Sequence, residues 1–128
     1  MTPEEFRTMR VALGFTQSSL GEKLEVNPRT IRRWEDPRSG YTAPVAIADK
    51  LRAQWGLRAD RIAEAVDAAE AMEEQGEPVT LIAYSDDLVC MTRTGLSTEE
   101  HTALLGHIAM ALTCADIDYE IIEPPAQG

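Results

Sequence analysis

The first 56 residues place apolar side chains at helical spacing between clear start and stop signals. The sequence TPEE at residues 2–5 predicts a capping box with proline at N1, opening a helix that ends at Gly14. Thr16 is the expected N-cap of a second helix, and Asn27 followed by Pro28 begins a third. A fourth helix starts at Pro44 and ends near residues 55–56. The residues expected to face inward are Phe6, Met9, Leu13, Leu20, Leu24, Ile31, Trp34, Val45, Ile47, Ala48 and Leu51.

The pattern changes after residue 56. An amphipathic helix is predicted from Arg58 to about Gln75, because its apolar residues recur at i, i+3, i+4 and i+7. Residues 79–84 are apolar and β-branched, residues 85–87 offer a tight turn, and residues 88–92 are apolar again. This sequence predicts a β-hairpin.

A second capping box opens the next predicted helix. Ser97 is its N-cap, the helix runs to about Cys114, and a short strand follows at residues 118–122. Residues 57–128 are therefore expected to form an α-β-β-α-β domain. With the four helices of residues 1–56, the predicted fold class is mostly α with a small α+β part.

The helix predicted at residues 98–114 is apolar on most of its surface. A core of three strands and two helices in about 70 residues is too small to cover such a helix comfortably. We therefore expect a symmetric homodimer to cover it. The predicted dimer interface consists of Leu104, Leu105, Ile108, Met110 and Leu112.

Residues 16–35, TQSSLGEKLEVNPRTIRRWE, are the most informative stretch. They predict two short helices joined by a tight turn, with Ile31 and Trp34 on the inward face of the second. Its outward face carries Arg29, Arg32 and Arg33, which can reach base edges and phosphates from the major groove. The alternative is an ordinary solvated face, which charged helices usually have.

The pairs TQ at residues 16–17, TI at 30–31 and WE at 34–35 carry a resemblance to the Cro and lambda-repressor-like (XRE) family of helix-turn-helix proteins. The resemblance covers residues 3–55. It implies that residues 1–56 form a four-helix, lambda-repressor-like helix-turn-helix DNA-binding domain. Residues 57–128, which carry the predicted dimer interface, are expected to form a dimerisation domain. The protein is then a transcriptional regulator and not an enzyme. The overall arrangement also resembles short phage and bacterial autorepressors, which include anti-CRISPR-associated regulators.

The resemblance also implies roles for individual residues. Gln17 matches a residue that clamps a phosphate. Pro28 replaces the polar residue usual at its position, which shifts base reading to Arg29 and Arg33. The residues expected to contact DNA are Gln17, Ser18, Asn27, Arg29, Thr30, Arg32, Arg33 and Arg38.

Two further features follow from the same resemblance. Arg10 and Glu35 stand where relatives place a structural ion pair. Residues 36–40, DPRSG, replace the Asn-Gly usual after Trp-Glu, so the loop that carries Arg38 is longer or differently turned.

The net charge of −10 is unevenly distributed. Residues 1–55 hold 9 basic and 7 acidic side chains, whereas residues 56–128 hold 3 basic and 15 acidic ones. This asymmetry indicates one module that faces nucleic acid and one that faces away from it. The alternative is that the acidic half only keeps the protein in solution.

Other chemistry has little support in the sequence. Cys90 and Cys114 lack zinc-site spacing and are expected to be buried free thiols. His101 and His107 lie six residues apart and are expected at solvent or an interface, and the aspartates at 86–87 are expected to form a turn. We expect no catalytic residue, metal or cofactor. No apolar run reaches the ~20 residues of a membrane span and no signal peptide is recognised, so we expect a cytoplasmic protein without a membrane partner.

The sequence thus predicts a homodimeric repressor that binds an inverted repeat in its own promoter. Two recognition helices about 34 Å apart would read the two half-sites. Two alternatives remain open. In one, the second half binds a partner protein and the chain is an antitoxin; in the other, that half senses a small ligand and changes the affinity for DNA.

Overall fold

The computed structural model describes residues 1–125, which are mostly helical with a small two-stranded parallel sheet. The chain separates into two compact units, Met1–Arg58 (the first unit) and Ala59–Gly128 (the second unit). The last three residues of the predicted domain 57–128 lie outside the described residues. The elements in chain order are α1 (Pro3–Ala12), α2 (Gln17–Leu24), α3 (Pro28–Glu35), α4 (Val45–Glu74), β1 (Thr80–Ile82), α5 (Asp87–Thr94), α6 (Thr98–Cys114) and β2 (Glu120–Ile122).

The first three helices begin where their caps predict. Thr2 and Thr16 each form a capping box, and Asn27 accepts a hydrogen bond from the backbone N–H of Arg29 at 2.9 Å. These caps satisfy N–H groups that have no partner inside the helix. Gly14, with φ +89°, follows the end of α1, as a residue in the left-handed region commonly does.

The core of the first unit joins α1, α2, α3 and the start of α4. Phe6 and Trp34 meet edge to face, with ring centroids 5.8 Å apart. Val45, expected to face inward, is instead 76% exposed, because α4 begins at that residue and its buried side starts with Ile47 and Ala48. The most buried members of this core are Phe6, Leu13, Phe15, Leu20, Ile31, Trp34 and Leu51.

The break predicted near residues 55–56 is wrong, because α4 is a single helix of 30 residues. Gly56 has no positive φ and no atom within 4 Å of an added Cβ, so it sits in the helix as an ordinary exposed position. A glycine there costs only about 0.5–1 kcal/mol relative to alanine, and by itself does not end a helix.

Arg58 in α4 is buried and donates to the end of α1. Its Nη1 lies 3.3 Å from the carbonyl oxygen of Ala12, and its Nη2 lies 3.2 Å from that of Leu13. Those carbonyls lack partners inside α1, and a cation at a helix C-terminus is favourable. Arg58 therefore stabilises the first unit, although the sequence placed it at the start of the following helix.

The predicted β-hairpin is also wrong. Residues 88–92 lie in helix α5, which Asp86 caps by accepting from the backbone N–H of Val89 at 3.0 Å. Gly95, with φ +76°, ends that helix. The partner of β1 is β2, which runs parallel to it with Leu81 opposite Ile121.

The second unit buries α6 within its own chain. Leu104, Leu105, Ile108 and Leu112 are each no more than 9% exposed, in or beside a core that includes residues of α4, β1 and the segment before β2. The predicted dimer interface therefore needs correction, since only Met110 of its five residues is exposed, at 64%. The apolar residues of α4 between Ile62 and Met72, together with Val79 and Ile117, cover this helix within the same chain.

The two cysteines differ in their surroundings. Cys90 is fully buried, but Cys114 is exposed, which corrects the expectation that both thiols are buried. Cys114 is the last residue of α6, beyond the part of the helix that packs in the core.

None of the described helices has the length and apolar character needed to cross a membrane.

Candidate nucleic-acid interface

A close backbone approach shapes the turn between α2 and α3. Glu25 ends α2 in the left-handed conformation with φ 58°, and the N–H of Val26 donates to the carbonyl oxygen of Gly21 at 2.8 Å. A Cβ added to Gly21 would lie only 2.5 Å from the carbonyl oxygen of Val26. A side chain at this position would therefore displace the turn from α2. This role of Gly21 was not predicted, and a glycine inside a short predicted helix was the available signal.

Burial of one side of α3 determines which side remains outside. Ile31 is fully buried and Trp34 is 8% exposed. Arg29, Arg32 and Arg33 are consequently exposed on the opposite side, at i, i+3 and i+4. Three guanidinium groups thus share one outward surface of a helix that is anchored on its other face.

A buried ion pair fixes the C-terminal end of α3 against α1. Arg10 Nε lies 2.6 Å from Glu35 Oε2, and Arg10 Nη2 lies 2.9 Å from Glu35 Oε1. The third nitrogen, Nη1, donates to the carbonyl oxygen of Phe15 at 2.8 Å. The two side chains are only 11% and 5% exposed, so both charges are largely desolvated. The bidentate geometry and the additional bond to Phe15 offset this cost.

Gln17 connects this ion pair to the outward arginines. Its Nε2 donates to Glu35 Oε1 at 3.3 Å, and Arg32 Nε donates to its Oε1 at 3.5 Å. By helix geometry, the backbone N–H groups of Gln17 and Ser18 at the start of α2 have no partner inside that helix. The shallow concavity here, about 340 Å³, is lined by Arg7, Arg10, Gln17, Arg32, Glu35 and Asp36. Its donors are suited to an anion such as a phosphate.

The remaining arginines differ in how firmly they are held. The guanidinium of Arg33 lies 5.0 Å from the centroid of the Tyr41 ring, a cation–π contact that was not predicted. Arg38 is 93% exposed and lies 3.5 Å from Asp36. The Arg29 side chain forms no ion pair or hydrogen bond with any other described residue. It is the guanidinium of α3 with the greatest freedom to reach a ligand.

The loop after α3 is organised by one hydroxyl group. Ser39 Oγ donates to the carbonyl oxygen of Arg33 at 2.6 Å and accepts from the N–H of Tyr41 at 3.1 Å. Asp36 accepts from the backbone N–H of Arg38 at 2.9 Å. The DPRSG loop is therefore an ordered turn that places Tyr41 against Arg33.

Of the other predicted DNA contacts, Ser18 and Asn27 are exposed and Thr30 is half-buried.

The charge of the two units has opposite sign. The first unit holds 10 basic and 7 acidic side chains, a net charge of +3, and the second holds 2 basic and 15 acidic ones, a net charge of −13. Glu35 is the acidic residue of α3, and its charge is matched by Arg10. The outward side of α3 is thus locally cationic, although the whole chain is acidic.

Two carboxylates have a lowered pKa, and both lie outside this interface. The backbone N–H and the side chain of Thr2 lower the pKa of Glu5 in the first capping box. In the second unit, the hydroxyl and then the backbone N–H of Thr98 lower the pKa of Asp87. The aspartates at 86–87 are thus a helix cap and a link to Thr98 rather than a hairpin turn.

Within residues 1–125 no group of three or more His, Cys, Asp or Glu side chains could hold a metal ion.

Comparisons with known proteins add no family to this description. The sequence matches no protein-family model and no curated protein.

Proposed function

We propose that the first unit is a lambda-repressor-like helix-turn-helix domain that binds double-stranded DNA with α3 in the major groove. The observation that carries this proposal is the outward side of α3, where three arginines are exposed while Glu35 is bound to Arg10. An α-helix fits the major groove, and cationic side chains on it supply both phosphate contacts and base contacts. We further propose a regulator of transcription rather than an enzyme.

The contacts on α3 and α2 suggest a division of roles. Arg29 has no partner among the described residues, so we assign it to base reading, most favourably to the O6 and N7 atoms of guanine. Gln17 and Arg32 bond to each other beside the free N–H groups at the start of α2, which suits a phosphate. Arg33, held on Tyr41, would lie along the backbone or read a base one turn further on.

A single unit of this size reads only a few base pairs. Two copies bound to an inverted repeat, with their recognition helices about 34 Å apart, would gain both affinity and specificity. We therefore propose a homodimer that represses its own promoter by occupying such a repeat. The acidic second unit would keep the wrong surface of the protein away from DNA.

Selection from random double-stranded DNA, followed by fluorescence anisotropy on the selected site, tests this proposal. Arg29→Ala should weaken binding by about 1–3 kcal/mol and relax the base preference at one position of each half-site. Lys50→Ala, on α4, removes the same charge from an exposed position outside α3 and is the matched control. Equal affinities of wild type and Arg29→Ala for the selected site would refute the base-reading role.

Arg38 offers a complementary test. Its side chain is 93% exposed in the loop after α3 and is not part of the helix assigned to base reading. Arg38→Ala should weaken binding to all DNA sequences about equally. It should also reduce the salt dependence of the affinity by roughly one phosphate contact. A change in base preference with this variant would contradict the assignment of Arg38 to the backbone.

A further inference from the structure

The second unit has an open apolar cavity beyond the carboxyl ends of its two strands. Its volume is about 630 Å³, and its walls include Tyr84 after β1, Pro124 after β2, and one side of α5. Leu88 at the start of α5 is 76% exposed and Val89 is 38% exposed. These apolar side chains of α5 are not part of the core of the second unit.

The charges along this side of α5 are arranged with opposite signs at opposite ends. Asp86 and Arg93 both line the cavity and are seven residues apart, which is about two helical turns and returns to the same face. Leu88, Val89 and Thr92 lie between them. The sequence of this face, from its N-terminal end, is therefore acidic, apolar and basic.

Arg93 is the cationic residue of this face. It is one of only two basic residues in the second unit, against 15 acidic ones, and it forms no ion pair with another described residue. Arg61, the other basic residue, also forms no ion pair among the described residues, but it does not line the cavity. The guanidinium of Arg93 is therefore available to a carboxylate of another molecule.

We propose that this side of α5 is the surface through which two copies of the chain associate. An antiparallel pair of α5 helices about a two-fold axis would place Arg93 of each copy beside Asp86 of the other, with Leu88 and Val89 packed between them. A two-fold interface must be complementary to itself, and an acidic-apolar-basic helix meets that requirement when it is paired antiparallel. The inference rests on the proposed function only in that a repressor of an inverted repeat needs a dimer.

The size of the surface sets the expected strength. The cavity is lined by nine residues, fewer than the roughly 20–30 residues a side of a standard interface. The net charge of −13 on each second unit also opposes association, although salt screens it. We therefore expect a dimer with a dissociation constant in the micromolar range, stabilised further when both copies bind one DNA repeat.

Sedimentation equilibrium of the full chain over a concentration series tests this interface. Leu88→Asp should raise the dimer dissociation constant at least about tenfold, because it places two carboxylates in the apolar centre of the interface. Met110→Asp is the matched control, since Met110 is also a highly exposed apolar residue but lies on α6. It should leave the dissociation constant unchanged, and thermal unfolding of each variant checks that the fold persists.

A charge experiment separates pairing between copies from an effect inside α5. Arg93→Glu should weaken the dimer, because the introduced carboxylate would face Asp86 of the other copy. Adding Asp86→Asn should recover part of the loss, since asparagine removes that repulsion and still caps α5. If Arg93 acted only on its own helix, Asp86→Asn would restore nothing, because it also removes a favourable charge from the helix N-terminus.

The outcomes distinguish this surface from the proposed function. If wild type forms a dimer and Leu88→Asp does not weaken it, the α5 interface is overturned but DNA binding is not. A chain that remains monomeric to about 500 μM would overturn the proposal and leave the cavity to a different occupant. Loss of the dimer in Leu88→Asp, together with no specific DNA binding by wild type, would support the interface and contradict the proposed function.

Discussion

Replacing Gly21 with alanine tests the geometry that joins α2 to α3. The new Cβ would lie 2.5 Å from the carbonyl oxygen of Val26, whereas ordinary contacts begin at 3.4 Å, so the turn must retreat by several tenths of an ångström. Overpacking of this kind costs about 1–3 kcal/mol. Alanine recovers about 0.5–1 kcal/mol through its greater helix propensity. We expect a net loss of about 1–2 kcal/mol in the free energy of unfolding.

Gly56→Ala is the matched control for this substitution. Gly56 also lies inside a helix, but no atom stands within 4 Å of its added Cβ, so the variant should gain about 0.5–1 kcal/mol. Urea unfolding followed by tryptophan fluorescence suits both variants, because Trp34 and Trp55 lie in the first unit and Trp34 is buried. A Gly21→Ala variant as stable as Gly56→Ala would refute the close approach at the turn.

Three other predictions concern burial and charge. Glu35→Ala leaves Arg10 buried without its carboxylate and should lower the free energy of unfolding by about 3–5 kcal/mol in urea titrations; a loss below about 1 kcal/mol would contradict the structural role of the pair. Thr98→Ala should raise the pKa of Asp87 towards its ordinary value in an NMR titration. Because the pKa of Asp87 is lowered in the folded protein, its bonds to Thr98 stabilise the fold above about pH 4, and this stabilisation is lost as the pH falls through the folded pKa. The free energies of unfolding of wild type and Thr98→Ala should therefore become equal in acid. A thiol reagent should label Cys114 in the folded protein and Cys90 only after unfolding. Equal labelling rates of the two thiols in the folded protein would contradict the difference in their burial.

The helix starts could be predicted because their chemistry is local. Thr2, Thr16, Asn27 and Ser97 each accept a hydrogen bond from an N–H two or three residues ahead, so the necessary residues are adjacent in sequence. The inward residues of α1 to α3 followed from helical periodicity for the same reason. The coarse fold, mostly helical with a small sheet, was accordingly predicted.

The strands at residues 80–82 and 120–122 lie within predicted strands, but their pairing could not be predicted because it is not local. Residues 88–92 form an apolar run too short to distinguish strand from helix by periodicity. Asp86 as a cap and Gly95 as a terminator decide for the helix, and β1 instead pairs with a strand about 40 residues away. The burial of α6 depended in the same way on which distant elements cover it.

The candidate site was predicted in part. The exposed arginines of α3 followed from helical periodicity, whereas the pairing of Arg10 with Glu35, 25 residues apart, came only from the family resemblance. Gly21 and Tyr41 were missed because each acts through a contact that only the folded chain creates. The DNA-binding roles assigned to these residues remain predictions.

The most direct test of the central proposal is a gel-shift measurement with the DNA immediately upstream of the protein's own coding sequence. Binding should be measured at two salt concentrations, with the mass of the complex determined in parallel. The proposal predicts tight, salt-sensitive binding of two chains to one inverted repeat. Binding that is equally weak on this DNA and on an unrelated duplex at both salt concentrations would contradict it.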